Sequence, residues 1–457
     1  MKPSPLRIVA CLLFCAPILT AHAAGWTSPV AVSPTGNPDP TRGAQVNSID
    51  LNSSGRALAS WDQYFYTNGG GSTVGVNVQN QGRWATPVTI SDPAKFSDRA
   101  RAAVGADGTM VVAWASETSS SRTIEASVWP AGGSGWSAPV VLGSGYTRVS
   151  PDPSNVKVAV NASGEVWVVW SIFDGAHYGV EAAYRNPGTG SVFSAAIPVS
   201  IAGEDAMQPA LALNDTGEVA IAWAGSPYAM NTSPNTITVV KNTGGGAAFD
   251  APIRVAPELS PYSGYQTSPS LCLDSGGLAT VTWMGAGLQA NLESAPGVWK
   301  GAESILPPVS SMTSFISPSL ACDDQGNAIV SAALFDATVG VQRAQLWTAT
   351  LSADTWSAPV KLTGLSPRRT EDISASSAAL SPDGKLGFIA YIDHYNGVMK
   401  TIHHDANGWG SPYSVGKVSS VSSFAEMVNA AADNNGQGRV MWKTKGGMVH
   451  LVSDWKP

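Results

Sequence analysis

A glycine followed six positions later by tryptophan recurs along this chain, at Gly55/Trp61, Gly108/Trp114, Gly164/Trp170, Gly217/Trp223, Gly277/Trp283 and Gly436/Trp442. Two further copies, at Gly326 and Gly384, carry Ala332 and Ala390 in the tryptophan position. The eight copies are spaced 49 to 60 residues apart. A period near 50 constrains the fold more than any other feature. Each repeat is one small unit that cannot bury its apolar face alone, so neighbouring units must stack.

Each glycine closes a tight turn, as in Ser381-Pro382-Asp383-Gly384, Asn214-Asp215-Thr216-Gly217 and Asp323-Asp324-Gln325-Gly326. Asn, Asp or Ser at the start and a glycine with positive φ at the end are the chemistry of a turn joining two antiparallel strands. The strand after the turn, exemplified by Val166 to Trp170, is apolar on both faces and is expected to be buried on both. A third strand follows, such as Thr123 to Val128. The unit then ends in an aromatic-x-x-Pro segment: Trp26 to Pro29, Trp84 to Pro87, Trp136 to Pro139, Phe249 to Pro252, Trp356 to Pro359 and Trp409 to Pro412, with weaker copies at Phe193 and Trp299. Proline lacks an N–H and is tolerated on edge strands, which makes this the outer strand. The fold class is therefore all-β: a single closed β-propeller over residues 24–457 with eight four-stranded blades, a seven-bladed ring being the alternative. The chain opens on an outer strand at Trp26, and its last repeat stops after a third strand at Met448 to Val452. The N-terminal strand is expected to complete the last blade and close the ring.

Two cysteines, Cys272 and Cys322, lie in the repeats. Aligned on their turn glycines, they sit one residue apart on the first strands of successive units. Adjacent strand residues face opposite ways, and in a ring opposite faces of neighbouring blades meet. An inter-blade disulfide is one expectation and two buried free thiols the other.

Residues 1–23 read as a signal peptide: Lys2 and Arg7, an apolar run from Ile8 to Leu19, then Ala21-His22-Ala23. A secreted or periplasmic protein follows. Cys11 lies too close to Arg7 to be a lipidation site, and no stretch reaches the roughly 20 apolar residues of a membrane helix. With 26 basic against 33 acidic residues and no basic tract, nucleic acid is a poor partner and stable membrane insertion is not expected. No cofactor motif is present, and the Asp-rich turns lack the ligand spacing of calcium loops. No metal site is expected. His403 and His404 are neighbours on a strand, point to opposite faces and cannot share a metal; a lone exposed histidine is the expected identity.

In a ring of such units the glycine turns lie on one face of the disc. The loops after each buried strand, and the crossings between blades, lie on the other. The second face gathers Asp62, Tyr64, Glu117, Asp174, His177, Tyr178, Asp393 and His394 from the loops, and Asp98, Arg99, Arg148 and Glu204 from the crossings. Acids, arginines and aromatics on one rim are suited to hold a sugar or a peptide.

The Gly108 to Trp114 strand followed by Trp136-Ser-Ala-Pro139-Val140 resembles repeats of secreted bacterial β-propellers of the sialidase-like and lectin-like kind, over nearly the whole mature chain. That resemblance implies the fold. The Ser-x-Asp-x-Gly-x-x-Trp boxes and the Arg-Ile-Pro of sialidases are missing, so no catalytic residue carries over. Two readings of function remain. One is a binding or interaction module for a glycan or protein ligand at the cell envelope, favoured by the lack of a nucleophile or cofactor constellation. The other is a glycoside-acting hydrolase using rim carboxylates, which needs two acids roughly 5 to 10 Å apart.

Overall fold

In a computed structural model, the described residues are 25–34, 44–65, 71–80, 82–118, 121–146, 155–226, 234–243, 246, 248–256, 266–306, 313–336, 343–363, 373–393, 395–418, 428–443 and 450–456. They form eight antiparallel sheets, strung in chain order. Blades 1 to 7 span residues 44–89, 96–146, 156–198, 205–254, 267–304, 313–361 and 373–417. Blade 8 takes residues 429–456 and borrows 25–31 from the N-terminus. The first strand of every blade packs beside the first strands of its two neighbours, blade 8 meeting blade 1. The ring is closed and eight-bladed.

Closure follows the expected route but uses a longer last strand. His450–Lys456 continues past the expected end at Val452, and Gly25 and Trp26 pair with Lys456 and Trp455, while Val30 and Ala31 pair with Val452 and Leu451. Between those two ladders the Thr27 amide donates to Asp454 O at 2.8 Å, and its hydroxyl accepts from Asp454 N at 3.0 Å. Behind this seam the buried Arg439 guanidinium meets both Asp454, at 2.9 Å, and Gln79 Oε1 of blade 1, at 3.0 Å.

The eight turn glycines all carry positive φ, from 72° to 91°, the conformation that sequence chemistry requires there. The turns also bond to one another around the disc. Asn52 Nδ2 donates to Gly105 O, Ala162 N to Asp215 Oδ1, Asn214 Nδ2 to Asp274 O, and Ser275 N to Asp324 O. Asp324 N then donates to Pro382 O, Asp383 N to Asn434 Oδ1, and Asn435 Nδ2 to Ser53 O, returning to blade 1. Asp323 Oδ1 accepts from Gln325 N and Asn327 N, so its carboxylate serves the turn. At the centre of this face the turns of all eight blades enclose a cavity of about 240 Å³.

Second strands form the core: Trp61, Trp114, Trp170, Trp283 and Trp442 are at most 1% exposed. The outer-strand aromatics are half-buried instead, and proline splits several outer strands. In blade 1, Arg83–Trp84 and Val88–Thr89 pair with the same third strand on either side of Pro87. Cys272 and Cys322 are disulfide-bonded between blades 5 and 6, with Cα atoms 6.2 Å apart. His403 and His404 do face opposite ways, but neither is exposed as expected. His403 lies against Trp455, tilted at 4.2 Å, and stacks on Phe388 at 5.4 Å, and His404 lies against Trp409. The aromatic seam at the ring closure needs a flat ring there, and the strand's alternation delivers His403 to it.

Candidate functional site

The first strands carry a feature that the repeat pattern did not announce. Near their starts, on the face away from the glycine turns, the ladder with the second strand slips in blades 1, 2, 4, 5, 6 and 7. At the slip, nine residues before the turn glycine, Arg99, Gln208 and Ser268 adopt φ of 62°, 55° and 53°. Non-glycine residues in this left-handed region are costly and cluster at functional sites. These bulges ring the mouth of the central channel, and they are stitched across blades, with Ser268 N donating to Gln208 Oε1 at 2.7 Å.

Arg99 is held in place by Asp62, whose carboxylate accepts from the Arg99 amide at 2.9 Å and the Ala100 amide at 3.3 Å. Asp62 stands directly after the core Trp61, where six other blades place Ala, Ser, Met or Tyr and blade 8 places Lys443. Around this bulge the structure assembles four of the rim candidates, Asp62, Asp98, Arg99 and Glu117, with the rings of Tyr64 and Phe96 beside them, 5.8 Å apart and inclined at 60°. Arg122, which sequence reasoning passed over, donates to Glu117 at 3.0 Å. The Asp98 carboxyl is pushed up to about 6, first by burial and then by the Asp62 charge; Arg99 and Arg122 pull the other way, and Glu117 adds to the rise. Its Oδ1 is buried with no hydrogen-bond partner. A carboxyl poised near neutrality beside other carboxylates and arginines can donate a proton or a hydrogen bond to a ligand oxygen.

A second station lies in blades 3 and 4. Asp205, 1% exposed, accepts from the Tyr178 amide at 2.9 Å and lies 3.8 Å from His177 Nδ1. Asp174 accepts from the Ala176 and His177 amides, both at 2.7 Å, which lower its pKa and shape the loop. Glu204 receives Arg254 Nη2 on both oxygens, at 2.8 and 2.9 Å. Asp393 is fully buried, its carboxylate taken by Lys400 and Asn396 Nδ2 at 2.7 Å each, so it braces its own hairpin. Arg148 and His394 lie outside the described residues.

Two further cations were legible only against the repeat. Seven residues before each turn glycine the blades read Ser48, Arg101, Lys157, Ala210, Ser270, Ser319, Ser377 and Asn429. Ser48 Oγ donates to Ala102 O, and Ser319 Oγ and Ser377 Oγ accept from Ala378 N and Ala430 N, so this position reaches the next blade's first strand. Arg101 and Lys157 depart from the small residues found elsewhere. A separate cleft of about 900 Å³, between the outer halves of blades 1 and 2, is lined by Val76, Val78 and Trp136 and contains no described member of the rim group. Among the described residues no cluster of His, Cys, Asp and Glu could hold a metal ion.

No protein-family model matches this chain, and no curated protein does. Solved structures do resemble it. An α-L-arabinanase of Penicillium chrysogenum complexed with arabinobiose is 10% identical, with 94% of this chain and 98% of that one covered and a TM-score of 0.44. A polysaccharide lyase, the ulvan lyase of family PL25, is 10% identical over 79% of this chain and 91% of its own, with a TM-score of 0.49. A protein of unknown function from Dyadobacter fermentans is 12% identical, over 70% and 97%, with a TM-score of 0.41. At such identities and TM-scores these likenesses carry no argument about activity.

Proposed function

We propose that this protein recognises a glycan at the channel mouth over blades 1 and 2. One observation supports this reading above the others: Asp98, Arg99 and Glu117 converge beside Tyr64 and Phe96 on a strained bulge that the buried Asp62 braces. A sugar offers vicinal hydroxyls to carboxylates and guanidinium groups, and an apolar ring face to aromatics. Few precisely placed polar groups beside aromatic surface are what a small-ligand site requires. Export by the segment that includes Lys2 and Arg7 belongs to the same reading, and the Cys272–Cys322 bridge suits an oxidising compartment.

A second reading, glycosidic cleavage, is favoured by Asp98. A carboxyl protonated near pH 6 is a general acid in waiting, and Asp62 and Glu117 are close enough to act on its charge. A glycan array followed by product analysis on every hit separates the two readings. Asp98→Asn is expected to keep binding within about threefold under either and to abolish release of reducing ends under the second only. A blank array, or hits indifferent to Arg99→Ala and Glu117→Gln, would refute a glycan site at this mouth.

A further inference from the structure

The cleft of about 900 Å³ between the outer halves of blades 1 and 2 is walled by a departure from the repeat. In blades 1, 6 and 7 the hairpin from third to fourth strand closes tightly, with Gln79 opposite Trp84, Leu351 opposite Trp356 and His404 opposite Trp409. The Ser137 amide donates to Val128 O as the Ala85 amide does to Val78 O, so the matching residues of blade 2 are Trp129 and Trp136. Pro130 to Gly135 lengthen the hairpin between them. The two indoles meet edge to face, 5.9 Å apart at 77°, and line the cleft opposite the apolar Val76, Val78 and Ile90 of blade 1. Arg56, next to the turn glycine of blade 1, lies over Trp129 with its guanidinium carbon 5.4 Å from the ring centroid. Its Nη1 donates to Gly108 O at 3.2 Å, and no carboxylate among the described residues pairs with it. The other cation at that repeat position, Lys385, is taken by Asp383 at 2.8 Å. Arg83, exposed on the lip of the cleft, also has no acidic partner among the described residues.

Two donors of this cleft are left over: Arg56 Nε and Trp136 Nε1 are buried with no hydrogen-bond partner. A buried donor is costly until an acceptor meets it. With Nη1 spent on Gly108 O, the edge of Arg56 that remains is Nε with Nη2, the side-on fork that a planar carboxylate takes with both oxygens. The orphan acceptor Asn77 Oδ1 belongs to the other face of its strand, where Nδ2 of the same amide donates to Val32 O at 2.8 Å. The cleft therefore suits an apolar body that brings an acceptor and a negative charge. Its size exceeds what one aromatic ring fills, and its blade 1 side is aliphatic. We propose that this inter-blade cleft binds the free carboxylate of an acyl chain, a fatty acid, with the headgroup on Arg56 and the chain laid over Val76, Val78 and the two tryptophans. Arg83 adds attraction from the lip. The site is separate from the saccharide mouth and stands whether or not that reading holds.

The test is calorimetric titration of the full mature protein with decanoate, decanol and phenylbutyrate, all kept below micellar concentrations. Decanoate is expected to bind about tenfold or more tighter than decanol, which has the chain without the charge, and tighter than phenylbutyrate, which has the charge without the chain. Arg56→Gln should bring decanoate to within about threefold of decanol by weakening the charged form alone. Because Arg56 also holds Gly108 O, a second variant is needed that leaves that bond in place: Ala85→Trp, on the exposed lip, should fill the cleft and abolish decanoate binding while the thermal midpoint stays at the wild-type value. Equal binding of decanoate and decanol to wild type, no binding of decanoate, or decanoate binding that survives Ala85→Trp would overturn the site. Phenylbutyrate binding more tightly than decanoate would overturn the acyl chain as its occupant.

Discussion

The ring closure contains a titratable group, and acid should loosen it there. His403 lies among Trp26, Phe388 and Trp455, with ring centroids 5.9, 5.4 and 4.2 Å away. Its Nε2 is buried without a partner. Burial takes its pKa from 6.5 down to about 4, so the native ring stays neutral where the unfolded chain binds a proton. Between those two values acid therefore favours unfolding: the stability this group contributes is whole above pH 6.5 and is lost as pH falls toward 4. At 1.36 kcal/mol per pH unit the ceiling is about 3 kcal/mol. Because the ring is only partly buried, solvent screens the charge and about 1 to 2 kcal/mol is the expected loss. Asp50 and Asp98, both held up to about 6 chiefly by burial, act in the opposite sense over a similar range. The measurement is accordingly a difference: urea unfolding of wild type and His403→Phe at pH 7.5 and pH 4, followed by tryptophan fluorescence. Wild type should lose about 1 to 2 kcal/mol relative to the phenylalanine variant on acidification. A gap that stays constant across that range would show that the ring is not kept neutral by the seam.

Three other outcomes follow from the same geometry. The Cys272–Cys322 bridge closes a loop of sequence separation 50, so replacing both cysteines with alanine should cost about 2 to 4 kcal/mol in denaturant; equal midpoints for the variant and the oxidised wild type would argue against the bridge. Trp170 is fully buried and its Nε1 donates to Tyr146 Oη at 3.1 Å; Trp170→Ala should destabilise by about 3 to 5 kcal/mol, and a loss below about 1 kcal/mol would place it outside the core. Saccharide affinity at the mouth should change around pH 6, where Asp98 ionises, and Asp98→Asn should flatten that profile; an unaltered profile would assign the titration to another group.

The rim residues show how far a pattern reaches. Loop and crossing positions identified the face on which Asp62, Asp98, Arg99 and Glu117 meet, because topology alone sends the ends of second strands and the starts of first strands to one side. The same pattern also nominated Asp393, which its own hairpin consumes through Lys400 and Asn396. Sequence position says which face a residue approaches, and side-chain partners decide whether it stays available. Arg122 was missed because it opens a third strand rather than standing in a loop or crossing, and only its bond to Glu117 brings it to the cluster.

The sequence by itself determined the propeller class, the strand order within a unit and the glycine turns, since these are local periodicities, and it left an eight-bladed ring beside a seven-bladed one until the eight sheets were seen. It determined the pairing of Cys272 with Cys322 as far as direction, by strand alternation. Only the tertiary structure decided the distance that allows the bond, the slip that throws Arg99 into the left-handed region, and the meeting of charges from separate blades around Asp98. Those depend on blade-to-blade packing between residues dozens of positions apart, and the energies of such contacts are not written in any one repeat.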